Sequence, residues 1–419
     1  MKIKITPEKY EKVVAKQPAK RPTPIKPNIV IRTLAKIISI PVLKMAKFKC
    51  TRIGMEELED TEPCLYLVNS SSSIDAHIAA SVLYPKPYNV ITSPESLVGR
   101  SLLMRMLGFI PAKKFIADID AAKDASYAMR KLGSSVVLFP ECVRTLDGKS
   151  SALPENLGRF IKTLGASVAV IHTYGAYLRQ PSYSAQRRRV PVSADVKFML
   201  SRAEVKSKTA EQINELIRAE FDSDSYRWQQ ENGIRICEPF RADCLNRLLY
   251  KCPHCQSEGK TVGKDTSITC TACGAVYELN EDGMLCAADG DTRFRHIPDW
   301  VEWQRSCVRA ELEDKSYSFC APVSICMSID TKNLYYVGKG HLTHTSEGFH
   351  LISDDQKLDI HQKPSSAQGL YAEFNWRGVG DLICVGNSKA LYYCLPDTDD
   401  ELITKLRLAT EENYKISKK

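Results

Sequence analysis

Four cysteines stand in two matching pairs, Cys252-Pro253-His254-Cys255 and Cys270-Thr271-Ala272-Cys273, with 14 residues between the pairs. Two residues between cysteines make a tight knuckle that turns both thiols toward one point. Two knuckles supply four thiolates, the full tetrahedral complement of a Zn²⁺ ion at Zn–S distances of about 2.3 Å. A closed set of this kind leaves no position open to substrate, so its role is structural. The interval is one residue below the ~15–20 usual for paired knuckles. Four unligated thiols or an iron site are the other readings of these residues. His254, inside the first knuckle, and Cys286 are less well spaced to be ligands.

A second group of polar residues follows two apolar runs. Asn69-Ser70-Ser71-Ser72-Ser73-Ile74-Asp75 comes directly after Cys64–Val68, and Pro140-Glu141-Cys142-Val143-Arg144-Thr145 comes after Ser135–Phe139. Strand ends are where α/β folds present their chemistry. Taken singly these residues are unremarkable: Asp75 suits a helix cap, Glu141 a surface carboxylate and Arg144 a solvated charge.

Taken together they resemble the PlsC-type family of glycerophospholipid acyltransferases, which acylate lysophosphatidic acid. Asn69 and Asp75 match the ends of the family pattern N-H-x-x-x-x-D. Phe139, Pro140, Glu141 and Arg144 match F-P-E-G-T-R-S, with Thr145 in place of its Ser. Between them, Gly108-Phe109-Ile110-Pro111-Ala112-Lys113-Lys114 is similar to G-x-I-x-x-x-R, with Lys114 in the Arg place. Order and spacing agree, and the resemblance spans residues 50–200. It implies transfer of a fatty acyl group from acyl-CoA or acyl-carrier protein to a lysophospholipid hydroxyl. A His serves as general base, oriented by the Asp. The Glu and Arg hold the acceptor's hydroxyl and phosphate, since a planar guanidinium matches phosphate oxygens. The resemblance therefore assigns Ser70 and Asp75 to catalysis, and Lys114, Glu141 and Arg144 to the substrate.

Two departures matter. Ser70 occupies the His position, and an unassisted hydroxyl is a very poor base at pH 7. Cys142 replaces a Gly. The resemblance then implies low or absent activity, in a naturally degenerate enzyme or an inactivated one, unless another His substitutes. His77 lies two residues past Asp75, about 200° around a helix, and should point away. His172 ends a strand and could reach the same sheet edge. The alternative is a non-catalytic relative that binds acyl-glycerophosphate lipid or scaffolds partners.

The elements that must position these residues alternate. Strands are expected at Cys64–Val68, Tyr88–Thr92, Ser135–Phe139, Ser167–Thr173 and Val190–Leu200. Helices are expected at Asp75–Leu83, Gly99–Leu107, Asp118–Leu132, Glu155–Leu164 and Thr209–Phe221. Such alternation implies an α/β layered, acyltransferase-like domain with a mostly parallel sheet over residues 50–222. Residues 223–250 read as a connector. Residues 251–285 resemble a zinc ribbon, with Gly274 closing the second knuckle. Residues 286–419 read as a β-rich domain, possibly PH-like, of short antiparallel strands between turn residues such as Gly338 and Gly340, ending in a helix over Asp400–Tyr414.

The chain has 419 residues, 43% apolar and 26% charged. That excludes disordered, collagen-like and small disulfide-stapled chains, and leaves room for about three domains at ~150 residues each. No apolar run approaches the ~18 residues of a membrane span. Of the net charge of +8, residues 1–50 carry 13 Lys/Arg against Glu8 and Glu11, or +11, so the remainder sums to −3. Within the basic segment 1–49, residues 28–49 read as one or two amphipathic helices bent at Pro41. They would either lie on an anionic membrane surface or pack on the domain that follows. No secretory signal fits residues 1–20. The 15 cysteines, an odd number, suggest a reducing compartment. The expectation is a cytoplasmic protein peripherally associated with the membrane. The ribbon's flanks mix Lys251, Lys260 and Lys264 with Glu258, Asp265, Glu278, Glu281 and Asp282, so no nucleic acid partner is expected.

Overall fold

Short runs of β-branched and aromatic residues become the strands of a seven-stranded sheet. In the computed structural model, which describes residues 4–16, 21–112, 118–290, 292–329, 333–386, 390–397 and 403–418, these strands are β1 (Lys49–Ile53), β2 (Cys64–Val68), β3 (Tyr88–Thr92), β4 (Phe109–Pro111), β5 (Ser135–Leu138), β6 (Ser167–Tyr174) and β7 (Ser193–Leu200). The order is β1-β7-β6-β2-β5-β3-β4. From β6 to β4 all neighbours are parallel, while β7 runs antiparallel to β6 and carries β1 alongside it. The sheet belongs to a unit made of residues 20–181 and 189–228.

Both faces of the sheet are covered, so its central strands are apolar on both sides. The helices are α1 (Ile29–Met45), α2 (Asp75–Val82), α3 (Ser101–Met106), α4 (Ile119–Arg130), α5 (Leu157–Leu164) and α6 (Ala210–Phe221). Leu65 and Leu67 of β2, with Val168 and Val170 of β6, pack against α4, α5 and α6 through Ala125, Ile161 and Phe221. Tyr66 and Val68, with Ala169 and Ile171, face the other way, toward Leu43 of α1 and Ile78 of α2. The period of two along each strand sorts side chains between these layers.

α1 is one helix, capped by Asn28, whose side chain accepts from Ile31 N at 2.9 Å, and it continues through Pro41. Ser39 and Leu43 are buried, and so is Ala46 just past its end. Ile29, Val30, Leu34, Ile37, Ile38, Ile40 and Met45 are exposed. At about 100° per residue these seven fall within one half of the helix circumference, away from the buried line. No described helix is long and apolar enough to cross a membrane.

The second unit comprises residues 1–19, 182–188 and 229–419. A small antiparallel sheet, β8 (Thr261–Lys264), β9 (Ser267–Cys270), β10 (Val276–Leu279) and β11 (Leu285–Ala287), carries the cysteine knuckles. α7 (Ile297–Glu313) follows, in a stretch where the sequence alone assigns no element. A larger sheet is built from β12 (Ser318–Met327), β13 (Leu334–Thr345), β14 (Gly348–Ser353), β15 (Asp359–Gln362), β16 (Tyr371–Trp376), β17 (Gly380–Gly386) and β18 (Leu391–Pro396). Its order is β15-β14-β13-β12-β18-β17-β16, all antiparallel, and the short strand Ile5–Pro7 adds in parallel beside β13. α8 (Ile403–Ser417) closes the unit. The strand order establishes an antiparallel sheet with a terminal helix and goes no further toward a PH-like form.

Gly338 and Gly340 were expected to be turns, and they lie inside the continuous strand β13. Gly338 has φ +145° at the bulge where Ile325 pairs Gly338 and Cys326 pairs Tyr336. A Cβ on Gly340 would meet Ile352 O at 2.2 Å, so that Gly permits close strand approach.

Candidate functional site

β2 and β5 are neighbours, with Leu67 opposite Leu138. The two polar segments that follow these strands therefore emerge side by side. The Glu141 side chain ties them together: its Oε2 accepts from Ser70 N at 2.6 Å and its Oε1 from Ser151 N at 2.9 Å. Thr145 N donates to Ser70 O at 2.9 Å. Asn69, buried at the end of β2, reaches β6: its Oδ1 accepts from Thr173 N at 2.8 Å and its Nδ2 donates to Thr173 O at 3.0 Å. Asn69 and Glu141 thus hold the loops in place.

Asp75 is the first residue of α2 and is buried. Its side chain folds back over the serine loop, where Oδ2 accepts from Ser71 N and Ser72 N, both at 2.8 Å. Oδ1 is buried and has no hydrogen-bond partner. Burial raises the Asp75 pKa to about 7, opposed by the two amides, while the Glu141 charge pushes it up and the Arg144 charge pulls it down. Asp75 is not the helix cap the sequence suggests: the cap position is Ile74, without a side-chain bond, and the carboxylate binds the serine loop upstream instead.

Asp75 is among the residues lining a cavity of about 300 Å³ at the carboxyl ends of β2, β5, β3 and β4. Ser70, Ser72, Thr92, Ser93, Phe139 and Cys142 are among its lining residues. Cys142 has φ +64°, a backbone region that glycine enters freely and other residues rarely do. The local backbone there is of the kind that favours glycine. Arg144 is half-buried. Lys114 lies outside the described residues.

The α/β unit contains two of the chain's eight histidines, His77 and His172. His77 Nδ1 is 3.1 Å from Ser39 Oγ on α1. His172 shares the side of β6 that packs on α6. Its ring stacks on Tyr174 at 4.7 Å and lies 6.3 Å from that of Phe221. Val168 and Val170 have the same parity and face the same layer, whereas Ile171 faces α2. Burial lowers the His172 pKa and favours the neutral ring. The sequence left His172 free to reach the sheet edge near Asp75. The alternation of β6 places it on the opposite face.

The four cysteines of the knuckles converge. Cys252 Sγ is 3.8 Å from Cys273 Sγ, and Cys255 Sγ is 3.7 Å from Cys270 Sγ. Zn–S bonds of about 2.3 Å in a tetrahedron place sulfurs roughly 3.8 Å apart, so the set is compatible with zinc. The two knuckles repeat one backbone pattern. Gln256 N donates to Cys252 O and Gly274 N to Cys270 O, each at 2.9 Å. Both residues have positive φ, +62° and +75°. The ribbon is fastened to α7: Trp300 Nε1 donates to Lys251 O at 2.9 Å, and Gln304 Oε1 accepts from Lys251 N at 3.0 Å.

No protein-family model matches the chain. No curated protein matches it either. Among solved structures, the crystal structure of the 1-acyl-sn-glycerophosphate (LPA) acyltransferase PlsC from Thermotoga maritima is similar, with a TM-score of 0.35 and 15% identity, over 45% of this chain and 78% of that chain.

Proposed function

We propose that the α/β unit carries a glycerophospholipid-type acyltransferase site that works at a membrane surface. Its substrates would be acyl-CoA or acyl-carrier protein and a lysophospholipid such as lysophosphatidic acid, with turnover low or absent. The observation that carries this reading is Asp75. One oxygen is pinned by the amides of Ser71 and Ser72, the other is buried with no hydrogen-bond partner, and the residue is among those lining the cavity. A buried carboxylate oxygen so placed suits the N–H of an imidazole on the preceding loop. By its sequence position Ser70 would occupy the place of that imidazole, and it supplies only a hydroxyl.

Arg144 and Lys114 would contact the acceptor phosphate. Glu141, already accepting from Ser70 and Ser151, would act by holding the loop. The exposed apolar half of α1, with exposed Leu102 and Leu103 of α3, suits insertion into the lipid interface. The basic residues of the N-terminal segment suit anionic headgroups. The four knuckle cysteines would hold a structural zinc ion. All 15 cysteines are free of disulfides, in keeping with a cytoplasmic, membrane-associated protein.

Lipid binding without transfer is the second reading, favoured by the engagement of His77 with Ser39 and of His172 with Tyr174 and Phe221. Calorimetric titration with a short-chain lysophosphatidic acid below its micelle concentration tests what the two share. Saturable binding that Arg144→Ala weakens at least tenfold is expected. Absence of binding to the folded protein would remove both.

A further inference from the structure

Three further ligating side chains meet on the large antiparallel sheet, away from the cysteine cluster in sequence and on different strands. His350 of β14 and His361 of β15 are directly opposed in register. Their rings stack at 4.0 Å with an interplanar angle of 10°. Asp359 is two residues before His361, so it projects from the same face of β15. Its Oδ1 is 2.9 Å from His350 Nε2 and 3.3 Å from His361 Nε2. One ligand atom from each of the three lies within 4.8 Å of the other two.

We propose that His350, Asp359 and His361 form a second metal site, for one divalent transition ion such as Zn²⁺, Co²⁺, Ni²⁺ or Cu²⁺. Two imidazoles and one carboxylate make a borderline donor set, which prefers these ions to Mg²⁺ or Ca²⁺. Metal–nitrogen and metal–oxygen bonds near 2.0–2.2 Å require ligand atoms roughly 3.3 Å apart in a tetrahedron. Both imidazole–carboxylate distances are already close to that value. The two stacked rings turn about their side-chain torsions to bring both Nε2 lone pairs to one ion.

The side chains are 36%, 56% and 69% exposed for His350, Asp359 and His361, so an ion there keeps coordination positions open to water or to another ligand. The site differs in this from the closed cysteine set. β15 has four residues and lies at one end of the sheet order. A metal bridging β14 and β15 would fasten that strand at its ladder. Binding to the folded state alone then stabilises the protein by mass action.

The test is calorimetric titration of the full chain, its cysteine site loaded with zinc, with Ni²⁺ at pH 7.5. One saturable Ni²⁺ equivalent per chain is expected, accompanied by a rise in Tm. His361→Ala and, separately, Asp359→Asn should weaken it at least tenfold, and His254→Ala, in the first knuckle, should leave it unchanged. All three side chains are at the surface, and circular dichroism confirms that each variant stays folded. Loss of binding in His350→Ala as well would strengthen the assignment. No saturable equivalent, or one that survives both His350→Ala and His361→Ala with the same Kd, overturns it.

Discussion

The backbone amide of Ser70 donates to the carboxylate of Glu141 across the ends of two neighbouring parallel strands, at 2.6 Å. This bond, with that from Ser151, fixes where the serine loop runs and hence where a side chain at position 70 points. Glu141→Ala leaves two amides without their acceptor. Each unsatisfied buried donor costs about 1–3 kcal/mol. Both bonds are part-buried, so the urea midpoint should fall by the equivalent of about 1–3 kcal/mol in all, and by less for Glu141→Gln, which keeps one acceptor oxygen. An unchanged midpoint would show that the carboxylate does not hold the loop.

Asp75 makes stability depend on pH in a defined direction. Its folded pKa, about 7, lies above the ordinary carboxylate value of 3.8. The folded state therefore holds a proton that the unfolded state has lost, and stability from this group falls as pH rises from about 4 to about 7. Asp75→Asn stays neutral and can still accept from Ser71 and Ser72. The stability of the variant minus that of the parent should grow across this window and level off above it, as read from denaturant melts at several pH values. A flat difference would mean that Asp75 ionises normally.

Much of this arrangement can be read from local sequence, because apolar period and caps are local. β2 and β3 lie at the expected bounds, and α2 and α4 within one or two residues of theirs. What escaped depends on partners far along the chain. Thr173 as the partner of Asn69, and Ser151 as that of Glu141, come from loops with no motif of their own. Which face of β6 His172 occupies depends on which layer α2 and α6 cover, and parity within one strand does not reveal that. Ile5–Pro7 is too short to signal a strand, and it becomes one only beside β13.

Zinc should be present at about one equivalent per chain in protein purified without added metal. Cys252→Ser or Cys273→Ser should release it and lower Tm, since structural zinc contributes directly to folding. Elemental analysis that finds no zinc, with all four thiols freely titratable, would refute the site.

Membrane attachment is best tested by substitution, because Ser39, Leu43 and Ala46 belong to the buried side of the first helix. Ile37 and Ile38 are 54% and 63% exposed. Burying an aliphatic side chain is worth about 1.5–3 kcal/mol. Ile37→Asp with Ile38→Asp should weaken co-sedimentation with anionic vesicles more than tenfold and leave the fold intact. Equal binding by the parent and the double variant would exclude this face as the membrane contact.

The acyl-transfer site we propose lacks its base, because Ser70 stands at the position where the resemblance puts a His. Radiolabelled acyl-CoA supplied with lysophosphatidic acid, to the parent protein and to Ser70→His side by side, measures it most directly. The parent should sit near background. The imidazole of Ser70→His, if oriented by Asp75, should raise transfer by about 10²–10⁴-fold, the usual contribution of a general base. Pairing the change with Cys142→Gly, which restores the residue suited to φ +64°, guards against a reshaped phosphate pocket. Fast turnover by the parent, or no gain in either folded variant, would contradict the account.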